Sequence, residues 1–227
     1  MTYDAVVLDM DGVIVERSPS WVFDDAAQTA LAEVGIHDPT DREFGMVRSL
    51  RGELSEATDH FEHAYGVRFG QLWRRRNELI TENQVRAMDD GEKALYDDAN
   101  AIERLPGPRG IVSNNQQAAV ENILRRFGLD SAFDTYHGLG PTLSDVGEEK
   151  PSTTYMERAL SDLDVDHAVY VGDRASDVQA AHNVGIDAAF VRREFNADDD
   201  PDPEPRYDVD SLHELATEIE RLDGSAR

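Results

Sequence analysis

The chain opens on an apolar, β-branched run, "AVVLDMDGVIV", which carboxylates interrupt at Asp9 and Asp11 and which Gly12 breaks. A short continuous apolar stretch predicts a central strand of a parallel sheet, buried on both faces. From about Pro19 to Leu105 the spacing becomes helical: "DDAAQTALAEVGI", "SEATDHFEHAYGV" and "FGQLWRRRNELITENQVRAM" place apolar residues three and four apart. After the turn cluster "LPGPRG" comes a second short strand, "GIVSNN", and then a helix, "QQAAVENILRRFGL", closed by Gly128. "KPSTTYMERALSDLDV" predicts a helix with Pro151 and Ser/Thr as start signals. "AVYVGD" is a strand, "SDVQAAHNVGI" a helix and "DAAFVRR" a strand, while "NADDDPDPEPR" reads as a solvated loop. "DVDSLHELATEIERL" makes a last amphipathic helix. One strand before residue 16, then strand and helix alternating after residue 105, predict an α/β fold with right-handed crossovers. A helical insertion follows the first strand, so the expected division is a core of residues 1–15 and 97–227 and a helical domain of residues 16–96.

Composition narrows the partners. The chain has 227 residues, with 47 acidic and 22 basic side chains and a formal net charge of -25. Such a surface argues against nucleic acid and anionic membranes, which require neutralising positive charge. Only two of the basic residues are lysines, Lys93 and Lys150. Many acids with almost no lysine resembles a halophile's protein, in which molar salt screens self-repulsion over roughly 3 Å. There is no cysteine, which excludes disulfides and thiolate metal sites. The amino terminus has acids within its apolar run and no basic start, and no stretch nears the ~20 apolar residues of a membrane span. The expectation is a soluble, cytoplasmic protein.

Ligands of open parallel sheets bind beyond the carboxyl ends of the strands. Three predicted strands end there in polar groups: Asp9 and Asp11, Ser113 and Asn114, and Asp173. Lys150 precedes a helix whose start could face the same crevice. A divalent cation wants hard oxygen ligands, which Asp9, the backbone carbonyl of Asp11, and Asp173 could supply. A phosphate wants small donors, such as the Ser113 hydroxyl and backbone N–H groups, and a compact cation such as Lys150.

"LDMDGV", "VSNN", "KP" and "VGDRASD", in this order, resemble the four motifs of the haloacid dehalogenase (HAD) superfamily. The likeness covers about residues 4–15 and 106–192 and runs into the last helix. It is weak across the insertion, which lies where members carry a helical cap of the C1 type. The resemblance implies a Rossmann-like core, a helical cap, and a Mg2+-dependent phosphatase acting on a small phosphate monoester. Asp9 would be the nucleophile that forms an aspartyl-phosphate, and Asp11 the general acid and base. Ser113, Asn114, Lys150 and Gly12 would hold the phosphoryl group. Asp9, Asp11 and Asp173 would form the metal site, with Asp177 a ligand or a carboxylate behind one. The dehalogenase branch lacks an acid two residues after its nucleophile, so Asp11 favours phosphoryl transfer. A phosphomutase on the same fold is the alternative within enzymes, and a non-catalytic binding protein the alternative outside them. Two departures stand out: Ser-Asn-Asn in the second motif, and Glu16 where many members have Asp.

Each residue also has a structural reading. Asp177 is equally a helix-start carboxylate favoured by the dipole, and Gly172 gives backbone room. "WRRRNE", residues 73–78, is the densest positive patch. It could meet an anionic substrate, but a face paired to neighbouring acids is the stronger reading, and Arg48 and Arg51 are read the same way. Trp21 and Phe23 suggest packing at the entrance of the cap. The seven histidines have no ligand spacing.

Overall fold

A computed structural model describes residues 3–225. Its centre is a six-stranded, wholly parallel sheet in the order β3-β2-β1-β4-β5-β6. The strands are β1 (Ala5–Leu8), β2 (Arg109–Gln116), β3 (Thr135–Leu139), β4 (Ala168–Gly172), β5 (Asp187–Val191) and β6 (Tyr207–Val209). All four residues of β1 are fully buried, as its unbroken apolar pattern requires of a strand covered on both faces. The order reverses beside β1: the chain winds one way through β2 and β3, then returns to β4 on the other flank. In open parallel sheets such a reversal, here at the carboxyl ends of β1 and β4, is where ligands bind.

The helices are α1 (Ser20–Glu33), α2 (Asp41–Ser49), α3 (Leu54–Tyr65), α4 (Phe69–Asp89), α5 (Gln117–Phe127), α6 (Thr154–Leu163), α7 (Ala175–Val184) and α8 (Leu212–Ser225). Two compact units result. One comprises residues 1–17, 94–139 and 147–227 and holds the sheet; the other comprises residues 18–93 and 140–146. Within the sheet unit, Val7, Tyr170 and Phe190 pack on Tyr155, Met156 and Ala159 of α6 and Val178 and Ala181 of α7. The helical unit has its own core, in which Leu31, Met46, Phe61, Phe69, Leu72 and Ile80 meet. Its α2 starts with a capping box, the Thr40 side chain accepting from Glu43 N and the Glu43 carboxylate from Thr40 N.

The units divide at 17/18 and 93/94, with residues 140–146 among the helices, beside the division at 15/16 and 96/97 expected from the sequence. Two expectations need correction. Strands β3 and β6 have no counterpart in the sequence reading. Thr135–Leu139, "TYHGL", is short and carries His137 and Gly138, and Tyr207–Val209 has three residues; edge strands this short give no period. Pro151 does not open α6, which starts three residues later at Thr154. Among the described residues no helix is long and apolar enough to cross a membrane.

Within the helical unit the arginine patch is engaged by its own neighbours. Arg75 pairs with Glu33, Glu78 and Glu82 at 2.9–3.2 Å, and Arg76 is buried on the face of Trp73 and donates to the Arg48 carbonyl. Arg48 itself pairs with Asp24, and Arg51 is exposed. Trp21 and Phe23 pack on the helical core, and Trp21 Nε1 donates to Glu92 at 2.5 Å.

Candidate active site

The strand register brings the polar residues to one edge. Leu8 pairs with Ile111 on β2 and with Val171 on β4, so Asp9 and Asp173 directly follow β1 and β4, and Ser113 lies in the carboxyl half of β2 beside them. Asp9 N–H donates to Val171 O at 2.8 Å and fixes the first residue beyond β1. The chain then turns: Ile14 N–H and Val15 N–H both return to Met10 O, and Gly12 N–H donates to Val15 O. Gly12 has φ +83°, and a Cβ there would stand 2.3 Å from Asp173 Oδ2. Only glycine fits both the left-handed backbone and the approach of that carboxylate. Gly172, in ordinary strand backbone on β4, is needed for room alone: a Cβ there would meet that of Asp177 at 2.2 Å.

Asp9, Asp173 and Asp177 are buried and each offers an oxygen within 4.8 Å of the others. Asp177, the third residue of α7, is held by the start of its own helix: Oδ2 accepts from the N–H groups of Asp173 and Arg174 at 3.1 and 3.0 Å, reaching back as the third residue of a capping box does. Its Oδ1 faces Lys150 Nζ at 2.7 Å. Neither oxygen of Asp173 accepts a hydrogen bond among the described residues, although the group is almost fully buried. Burial, with the negative charges of Asp9 and Asp177 beside it, pushes the Asp173 carboxyl up to about 7. Burial likewise raises Asp9, to about 6, against the pull of the Lys150 ammonium. These carboxyls are the kind of group that a hard cation relieves.

Lys150 is the cation of the site. Its Nζ lies 3.0 Å from Asp9 Oδ2 and donates to Tyr170 Oη at 2.7 Å and to Val112 O at 3.2 Å. Burial disfavours its charge, but Asp177 and Asp9 outweigh burial and raise its pKa. Three carboxylates face this one buried ammonium, with the exposed Arg174 guanidinium 4.0 Å from Asp173 Oδ2, so negative charge is in excess once they ionise. A divalent cation matches that excess and the unsatisfied oxygens of Asp173, so the residues fit such an ion.

The remaining expected residues have distinct positions. Asp11 stands outside the buried carboxylate group, and its Oδ1 accepts from Asn115 Nδ2 at 2.9 Å. Ser113 is buried and its hydroxyl accepts from Asn115 N–H at 3.2 Å. Asn114 is exposed, and its Oδ1 accepts the Lys150 backbone N–H at 2.9 Å, tying the lysine's loop to the end of β2. Two residues that the motif reading passed over belong to the same network. Asn115 anchors Asp11, and its place in "VSNN" was the available signal. Tyr170, wholly buried on β4, donates to Val112 O at 2.7 Å while accepting from Lys150. A tyrosine within a buried strand needs a partner for its hydroxyl, and that need is legible, although the partner is not.

Comparison with known proteins gives a consistent picture. Residues 6–191 match the family model described as haloacid dehalogenase-like hydrolase. The chain is 27% identical over 212 residues to a phosphoglycolate phosphatase of Synechococcus elongatus, covering 85% of each. It is also 27% identical over 125 residues to an (S)-2-haloacid dehalogenase of Pseudomonas putida, covering 53% of each. Among solved structures, CbbY of Rhodobacter sphaeroides, in complex with phosphate, matches with a TM-score of 0.65 at 22% identity, over 94% of this chain and 96% of that one.

Proposed function

The chain belongs to the haloacid dehalogenase-like hydrolases, and from that membership we propose that it is a Mg2+-dependent phosphatase of small phosphate monoesters. The observation that carries this reading is the pairing of Asp9 with a separate, hydrogen-bonded Asp11 two residues on. A haloacid dehalogenase is among the relatives, and a dehalogenase has no use for a second acid at that place. Phosphate-ester cleavage does, because the departing alkoxide needs a proton.

In this reading Asp9 Oδ attacks phosphorus, the ester oxygen departs, and an aspartyl-phosphate remains on Asp9. Asp11 delivers the proton to the leaving oxygen and then takes one from the water that cleaves the acyl-phosphate. Lys150 and Ser113 hold the transferring phosphoryl oxygens, and Lys150 also keeps Asp9 ionised. Asp9, Asp173 and the Asp11 carbonyl would hold Mg2+, with Asp177 fixing Lys150 and the start of α7 behind them. Bound Mg2+ supplies positive charge between the anionic phosphate and the carboxylates. The helical unit is proposed as the cap that selects the leaving group, and the acidic surface as an adaptation to high salt. Phosphoglycolate is the first substrate to try, since relatives that the chain matches over most of its length carry that name.

The test is hydrolysis of an aryl phosphate and of phosphoglycolate with Mg2+, with EDTA, and with Asp9→Asn. Activity that needs Mg2+ and disappears in Asp9→Asn supports the reading. Equal hydrolysis by wild type and Asp9→Asn overturns it. Turnover that requires a sugar bisphosphate primer and a sugar phosphate acceptor points instead to a phosphomutase.

A further inference from the structure

The loop after β5 reaches back to both acid-bearing loops of the site. Arg193 Nε donates to Gly12 O at 3.2 Å and its Nη2 to Val13 O at 2.7 Å. These are the two carbonyls that directly follow Asp11, and the turn's own backbone hydrogen bonds run to Met10 O and Val15 O instead. Three residues on, Asn196 Nδ2 donates to Asp173 O at 2.9 Å and to Val191 O at 3.1 Å. The ends of the segment are locked together, since Asn196 Oδ1 accepts the Arg193 N–H at 2.6 Å. One short segment, "RREFN", therefore grips the turn that carries Asp11 and the loop that carries Asp173.

The arginine is itself held rigidly. Asp98 receives it in a two-pronged pair at 2.9 and 3.1 Å, both side chains being about nine-tenths buried. Asp98 Oδ2 also accepts the N–H of Leu212, the first residue of α8, at 2.8 Å. The Tyr96 ring lies 3.9 Å from the guanidinium carbon. A planar fork with fixed partners on both sides transmits position well, because few of its rotamers keep all the bonds. Without it, two carbonyls of the tight turn would lose their donors.

We propose that Arg193 and Asn196 are positioning residues, Arg193 setting the Asp11 turn for proton transfer and Asn196 setting the Asp173 loop for cation binding. The inference rests on the phosphatase reading for its catalytic half. It predicts two separable defects. Arg193→Met misplaces the general acid, which matters for a poor leaving group and little for a good one. Asn196→Leu loosens the Asp173 carboxylate and weakens Mg2+ binding.

The experiment compares kcat/KM for phenyl phosphate and 2,4-dinitrophenyl phosphate, which reports on events up to departure of the phenol. General acid catalysis contributes roughly 10²–10⁴-fold, so Arg193→Met is expected to lose about tenfold or more on phenyl phosphate and under about threefold on the dinitrophenyl ester. Asp11→Asn, as control, shows the same asymmetry more strongly. Mg2+ titration followed by thermal shift, without substrate, reads the second half. Residues behind metal ligands typically change affinity 10–100-fold, so Asn196→Leu is expected to need about tenfold more Mg2+. If Arg193→Met does not fold, Arg193→Met/Asp98→Leu removes the buried pair together and carries the same comparison. Equal losses on both esters, with Asp11→Asn asymmetric, overturn the role of Arg193; an unchanged Mg2+ midpoint overturns that of Asn196. If the wild type hydrolyses neither ester and does not hydrolyse phosphoglycolate, the phosphatase reading falls and the Asp11 half falls with it.

Discussion

Gly12 and Asp173 lie so close that a methyl group on the glycine would stand 2.3 Å from Asp173 Oδ2. The contact joins the turn after β1 to the loop after β4, so the backbone of one supplies the floor on which the other's carboxylate rests. Gly12→Ala must either push that carboxylate away or flatten a turn with φ +83°. The left-handed backbone alone costs an alanine about 1 kcal/mol or more, and the clash adds to it. We expect a lower Tm together with a loss of Mg2+ affinity in a thermal-shift titration. A Gly12→Ala protein with wild-type Mg2+ binding would show that the approach is incidental.

Lys150 sits 2.7–3.2 Å from oxygens of Asp9, Asp177, Tyr170 and Val112. A compact ammonium can serve these converging partners, whereas the larger planar guanidinium of Lys150→Arg cannot. Removing one well-placed donor of transition-state charge costs about 10²–10³ in kcat, and Lys150→Arg is expected to recover little of the loss in Lys150→Met. Lys150→Met also leaves Asp9 and Asp177 without their counter-ion, at about 3–5 kcal/mol when both are ionised. The penalty is expected to shrink toward pH 5, where Asp9 takes up a proton. Denaturant unfolding at pH 5 and pH 8 checks this, and an equal loss at both would count against it.

How far the sequence foretells this site depends on the reach of each interaction. Asp9, Asp11, Gly12, Gly172 and Asp173 sit within or just beyond apolar runs, where a carboxylate or glycine has little else to do, and so they are legible. β1, β4 and β5 are legible because their runs are unbroken. β3 and β6 are not, being short edge strands. The partners of the acids are mostly invisible: Asn196 is 23 residues from Asp173 along the chain, and Arg193 is 181 from Gly12. Their contacts arise only when the sheet order places β5 beyond β4. Local pattern carries no trace of a pairing created by topology.

The surface makes a separate prediction. A net charge of -25 repels itself in dilute buffer, and about 1 M salt shortens the screening length to roughly 3 Å. Screening also weakens exposed pairs such as Arg104–Glu220 and Arg206–Asp187. These are worth under about 1 kcal/mol each, so relief of the repulsion is expected to dominate. Tm should rise steadily from 0.1 M to 2 M KCl. A Tm that is flat or falls over that range would remove the high-salt reading.

The raised carboxyls fix the sign of the pH response. Asp9 and Asp173 ionise near 6 and 7 in the metal-free fold, against 3.8 for an unperturbed aspartate. Between about pH 4 and 7 the folded chain therefore binds more protons at these sites than the unfolded chain does, and their contribution to stability falls as pH rises. Asp173→Asn removes one of the two groups, so in EDTA its stability should decline less than that of the wild type between pH 5 and pH 8. A cation competes with those protons, so Mg2+ should raise the wild-type Tm more at pH 8 than at pH 5. Thermal melts of both proteins at the two pH values, with and without MgCl2, measure each effect. A Mg2+ shift of equal size at pH 5 and pH 8, or one that persists fully in Asp173→Asn, would mean that the cation binds elsewhere.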